Sequence, residues 1–207
     1  MGKGKKLGFM LSATLMCVAM LAATATAQNT NTGSTTRTGN GNNGNNRGNG
    51  GTASVSSTDR KFAMQAAMGG MAEVEVSRLA LTKASSDAVK QYAQKMIDDH
   101  TAANTELMQI ASTKGITLPT APDAKHRAMM ARMERLSGEA FDREYVMMAG
   151  HKDHQKMEKL FRDESTRGRD ADLKAFAAKT LPVVQQHLQL AREMHDRMMP
   201  GMNHNNR

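Results

Sequence analysis

Three histidines, His100, His154 and His187, and one glutamate, Glu73, interrupt stretches in which apolar residues recur every three or four positions. His100 shares a stripe with Val89, Ala93, Met96, Ala103, Leu107 and Ile110, and His187 shares one with Leu173, Phe176, Thr180, Val184, Ala191, Met194 and Met198. His154 falls among Met147, Gly150, Met157 and Phe161, and Glu73 among Phe62, Ala66, Gly69 and Ala80. Such spacing turns all four side chains toward a core. Imidazole and carboxylate together suit Zn, Fe, Mn, Cu or Ni, so Glu73, His100, His154 and His187 form a candidate ligand set for a divalent metal. The same groups also have a purely structural use, as hydrogen-bond partners that set helix register. Around them, Asp99, Tyr145 and His151 are placed to orient ligands without binding the ion. Di-iron carboxylate chemistry in a helical bundle uses paired Glu-x-x-His motifs, and this chain has none.

The elements needed to position these residues are long helices. The pattern predicts helices over about 59–84 and 87–114, the second capped by Ser85 and Ser86 and stopped at Gly115, with Pro119 and Pro122 holding the connection extended. A short helix over about 123–136 follows. Two further long helices run from Ser137-Gly138 to just before Gly168 and from the cap Asp170 to about Met199. Pro182 lies inside the last one and predicts a kink or a boundary there. Short turns near 85 and 168 predict two antiparallel hairpins, and the connection at 115–137 is long enough to cross between them. The fold expected is all-α, an antiparallel four-helix bundle of the ferritin-like kind, with the short helix in the crossover. Height is checked by counting from the turns: Glu73 and His100 lie 12 and 15 residues from position 85, and His154 and His187 lie 15 and 18 from position 169. A mismatch of three residues is about 4.5 Å along a helix, so each pair meets near the middle of its hairpin.

Ahead of these helices the chain reads differently. Lys3, Lys5 and Lys6, an apolar run to Ala23, and Ala25-Thr26-Ala27 have the order of a secretory signal, with cleavage expected after Ala27. Its apolar run is short for a membrane span, so no span is expected after cleavage. The single cysteine, Cys17, leaves with this segment, and with it any role for disulfides or thiolate ligands. Of residues 29–51, 20 of 23 are Asn, Gly or Thr, too polar to repay the entropy of ordering, which makes 28–57 a tether. The formal charge of +8 suggests a nucleic-acid partner, but from residue 58 onward 23 basic residues face 20 acidic ones without clustered aromatics. That balance gives a solvated surface and excludes nucleic-acid binding. An oligomer is compatible with these features, and no protein partner is indicated.

The runs Gly70-Met71-Ala72-Glu73-Val74-Glu75-Val76, Met96-Ile97-Asp98-Asp99-His100 and Ser137-Gly138-Glu139-Ala140-Phe141-Asp142-Arg143-Glu144-Tyr145, then His154, Leu181-Pro182 and His187-Leu188, follow in order. Together they resemble the bacterial domain-of-unknown-function family 4142 over about residues 59–195. The resemblance implies an exported, ferritin-like bundle with Glu73, His100, His154 and His187 at the positions of the family's polar pattern. It implies no particular activity.

One feature lies outside that pattern. Fifteen methionines follow the signal, and the C-terminus is rich in Met and His: Met194, His195, Met198 and Met199 at the end of the last helix, then Met202 and His204 in a flexible tail from 200 to 207. Thioether and imidazole hold Cu(I) or Ag(I), so this end is an alternative site for copper or silver; at helical spacing most methionines are core fillers. The function expected is an exported envelope protein that binds a divalent metal, or uses a polar core structurally, without catalysis and in stress tolerance. Copper or silver handling by the tail, and a metal-dependent oxidoreductase, are the alternatives.

Overall fold

A computed structural model describes residues 55–199, and these are helical with no strand among them. The first two helices are α1 (Ser57–Lys83) and α2 (Asp87–Thr113), followed by the short α3 (Ala124–Met133). A third long helical run is built in three parts: α4 (Gly138–Tyr145), a π-helical segment (Val146–Asp153) and α5 (His154–Arg167). The last helix is α6 (Ala171–Met198). No helix among the described residues is long and apolar enough to cross a membrane. The signal, the leader up to residue 54 and the tail from residue 200 lie outside the described residues.

The ends follow local rules. Ser56 caps α1 by accepting from the Asp59 amide at 3.1 Å. Asp123 caps α3 by accepting from the His126 amide at 2.9 Å, and Asp170 caps α6 by accepting from the amides of Asp172 and Leu173. The second helix stops in a Schellman turn: Gly115, at φ 62°, takes the left-handed conformation, and the Ile116 amide donates back to the Ala111 carbonyl at 2.9 Å.

Three expectations are corrected. Ser86 stands at the N-cap of α2 without using its side chain there. The helix beginning at Gly138 is not uniformly α, because eight residues of it are π-helical. Pro182 makes no boundary, since α6 continues through it.

The α1–α2 and α5–α6 hairpins pack together through α1 against α5 and α2 against α6, and the crossover helix α3 rests on α1 and α4. The apolar interior is divided in two. One core joins Val76, Val89, Met96, Phe141, Tyr145 and Met194; the other joins Phe62, Leu107, Phe161, Leu173, Phe176 and Val184. Between the two cores each long helical run places a buried polar residue, Glu73, His100, His154 and His187 in turn, and the α4–α5 run adds Asp153. The four sequence-predicted residues thus form a buried polar layer between two apolar blocks.

Each hairpin turn is held by a buried aspartate of the opposite hairpin. Asp142 on α4, 3% exposed, accepts from the backbone amides of Ser85 and Ser86 at 3.1 and 3.0 Å and from the Ser85 hydroxyl at 2.6 Å. Asp59 on α1, 1% exposed, accepts from the amides of Arg169 and Asp170 at 3.2 and 3.0 Å. A carboxylate capturing two backbone donors is a charge-assisted contact that locks the height of the turn against the facing helix. Replacing Asp142 with Ala removes the acceptor of the Ser85 and Ser86 amides and of the Ser85 hydroxyl. The expected cost is about 2–4 kcal/mol in urea unfolding; a loss below about 0.5 kcal/mol would show that the clasp does not hold the turn.

Candidate metal centre

His154 is the hub of the polar layer. It opens α5 directly after the π-helical segment, and its Nδ1–H donates to the Ala149 carbonyl, five residues back, at 2.9 Å. π-helical turns within α-helices are rare and frequently occur at functional sites. Here the Ala149 carbonyl holds the imidazole. Its other nitrogen, Nε2, stands 3.4 Å from His100 Nε2 and 3.3 Å from His187 Nδ1. One nitrogen from each of the three rings lies within 4.8 Å of the other two.

Outer partners decide where the ring protons sit. The Ala149 carbonyl and the Asp99 carboxylate can only accept. His154 therefore carries its proton on Nδ1, and His187 carries its proton on Nε2, which donates to Asp99 Oδ2 at 2.7 Å. In the neutral rings the inner nitrogens, His154 Nε2 and His187 Nδ1, are then both lone pairs. Two lone pairs facing each other at 3.3 Å make no hydrogen bond, and His100 Nε2–H can satisfy only one of them. A cation shared by the nitrogens removes the conflict. Two ligands bound tetrahedrally about 2.05 Å from one ion stand about 3.3 Å apart, which is the spacing found.

Electrostatics keeps the rings neutral. Burial lowers the pKa of His154 to about 4, with His187 adding to the effect. Burial lowers His100 well below the usual histidine value, helped by His154 and His187. Burial also lowers His187, while Asp99 partly offsets it. At Asp99 burial raises the carboxyl, but hydrogen bonds from Lys95 and His187 outweigh it and hold it below the usual range. The centre is three neutral imidazoles with one anionic carboxylate behind them, the arrangement by which ligand histidines are oriented at metal sites.

The remaining expected residues fall in different places. Glu73 is buried at the same level, but its Oε1 lies 3.7 Å from His154 Nδ1, on the side of the ring away from the converging nitrogens. It is not one of the three-donor group, and its Oε2 has no partner. Asp99 accepts from His187 Nε2 and from Lys95. Tyr145 shares a hydrogen bond with the Ser77 hydroxyl at 2.7 Å, stacks on Phe141 and has no bond to the histidines. His151 points elsewhere, toward Gln155 and the His195 ring. At the copper alternative, Met194 and Met198 pack in or against the first core and His195 stands beside Asp196. Met199 follows the end of α6, and Met202 and His204 lie outside the described residues.

Sequence reasoning missed the Ala149 carbonyl and Tyr92, whose hydroxyl donates to the His187 carbonyl at 3.3 Å. Tyr92 was legible in part, since it precedes His100 by eight residues and so shares its face of α2. The π-turn left no recognisable signal.

These features define an all-helical protein with a buried three-histidine cluster. A family model described as Domain of unknown function (DUF4142) matches residues 45–194, and the chain belongs to that family. No curated protein and no solved structure matches it.

Burial first, and the Asp153 carboxylate second, push the Glu73 carboxyl well above its ordinary value of 4.5. The folded metal-free protein then keeps a proton that the unfolded chain releases, so this group's contribution is present below about pH 4.5 and is lost as pH rises. A Glu73→Gln variant lacks that loss. Its urea midpoint relative to the parent should climb between about pH 5 and about pH 8, whereas a constant difference would show that Glu73 is ionised in the fold.

Proposed function

We propose that this is an exported helical bundle protein that binds one divalent transition-metal ion through His100, His154 and His187. The observation that carries the reading is the pair of inner lone pairs on His154 and His187, fixed by Ala149 and Asp99 and standing at the spacing of two ligands on one ion. Neutral imidazole favours Zn, Cu, Ni or Fe. A hydrogen-bonded network alone accounts less well for the layer, because it leaves one of those lone pairs without a donor.

The ferritin-like, antiparallel four-helix arrangement belongs to the same reading. Along α1 and α6 the chain passes from the Phe62/Phe176 core to the Val76/Met194 core, and along α2 and the α4–α5 run it passes back. Export rests on the basic, apolar and small-residue order of residues 1–27. An envelope protein meets ions that the cytoplasm buffers, and a role in tolerance of metal stress fits that setting.

Expression with the native leader tests the export claim: the protein recovered from the cell envelope should begin at Gln28 by mass spectrometry. Recovery of the intact chain from the cytoplasm would overturn it. The metal claim is tested on the metal-free protein with Zn(II) and Ni(II) in turn. An ion that binds only the folded state stabilises it by about 2.7 kcal/mol at a free concentration 100 times Kd, so the melting temperature should rise with added ion. His100→Ala and His187→Ala should abolish that rise. Equal responses in parent and variants, or no response in any, would leave the layer as a structural network.

A further inference from the structure

Next to His100, on the side of the Phe161/Phe176 core, lies a small void of about 20 Å³. That is room for one water-sized molecule. Small and apolar residues such as Ala66, Gly70, Ala103 and Val184 line it, together with His100 and the polar groups of Asn104 and Thr180. Gly70 is needed there: a Cβ at that position would stand 2.0 Å from Asn104 Oδ1, so the missing side chain admits the amide to the wall. A cleft of about 180 Å³ between α2 and α6 reaches Asp99, His100 and His187 and shares His100, Ala103, Thr180 and Val184 with the void. Across its mouth Lys179 pairs with Glu106 at 2.8 Å, so the rim carries both signs of charge.

We propose that the ion held by His100, His154 and His187 keeps its fourth coordination position for a small exchangeable ligand admitted through the α2/α6 cleft: water or hydroxide, or an anion of two or three atoms that extends into the cleft. This rests on the three-histidine reading. Neither neighbouring carboxylate fills the position: Asp99 is engaged by His187 Nε2 and Lys95, and Glu73 lies beside the outer nitrogen of His154. Closed structural zinc sites have four protein ligands, whereas sites that bind or transform small molecules use three and an exchangeable water. Three neutral ligands also leave the dication's charge intact, which favours an anion in the fourth place. The void beside His100 supplies space of one-water size, and only the wall of Ala103, Thr180 and Val184 stands between it and the cleft, which itself reaches His100 and His187.

Cobalt(II) is the probe, because its visible spectrum reports coordination directly. The mature chain loaded with one equivalent should show the intense bands of a low-coordinate site, and azide should change them with single-site saturation. Ala103→Phe and Thr180→Phe, which add bulk to the shared wall, should retain the cobalt bands and weaken azide at least tenfold. Should these aromatic variants not hold cobalt, Ala103→Val makes the same comparison with a smaller intrusion. A parent spectrum indifferent to azide would overturn this inference alone, and so would variants that bind azide as the parent does. Absence of cobalt bands in the parent would overturn both this inference and the metal reading beneath it.

Discussion

Two buried carboxylates set the register on which the polar layer depends. Asp142 and Asp59 each reach from one hairpin to the turn of the other and take up two backbone amides there. Apolar stripes tolerate slippage by a turn, because one methionine or leucine replaces another with little loss. A carboxylate bound to two defined amides does not. With both turns pinned, residues counted outward along the helices arrive at fixed heights, and His100, His154 and His187 come to within a few ångströms of one another.

Bringing three imidazoles into an apolar interior costs free energy that must be recovered locally. Two of the rings recover part of it through outer hydrogen bonds, one to a carboxylate and one to a backbone carbonyl. Those bonds also choose the tautomers, and the choice directs lone pairs inward instead of pairing them with protons. Burial lowers the basicity of the rings and so keeps them in the neutral form that a metal needs.

Around this centre the rest of the chain contributes scaffold. The two apolar cores flank the layer on either side, and the Phe62, Phe161 and Phe176 rings pack against one another, Phe62 edge-on to the other two. Glu73 stands apart from the donor set, a buried group with one unpartnered oxygen whose carboxyl is pushed up by burial and by Asp153.

From the sequence alone, the helices, their turns, the inward direction of the three histidines and their shared height were all legible. Helical periodicity and residue counts are local properties, and antiparallel hairpins convert counts into heights. Asp99 was legible as a neighbour of His100, though its hydrogen bond to His187 was not. Glu73 showed the limit of that method: its position on α1 determined its depth, but which nitrogen of His154 it would face depended on how α1 and α5 pack. The π-turn before His154 and the direction of the Ala149 carbonyl were likewise decided by tertiary structure, because no residue in 146–153 prescribes a widened turn. Local sequence determined which groups are buried and at what level; only the packing of the helices decided which atoms face one another, since that depends on rotations about each helix axis that periodicity does not resolve.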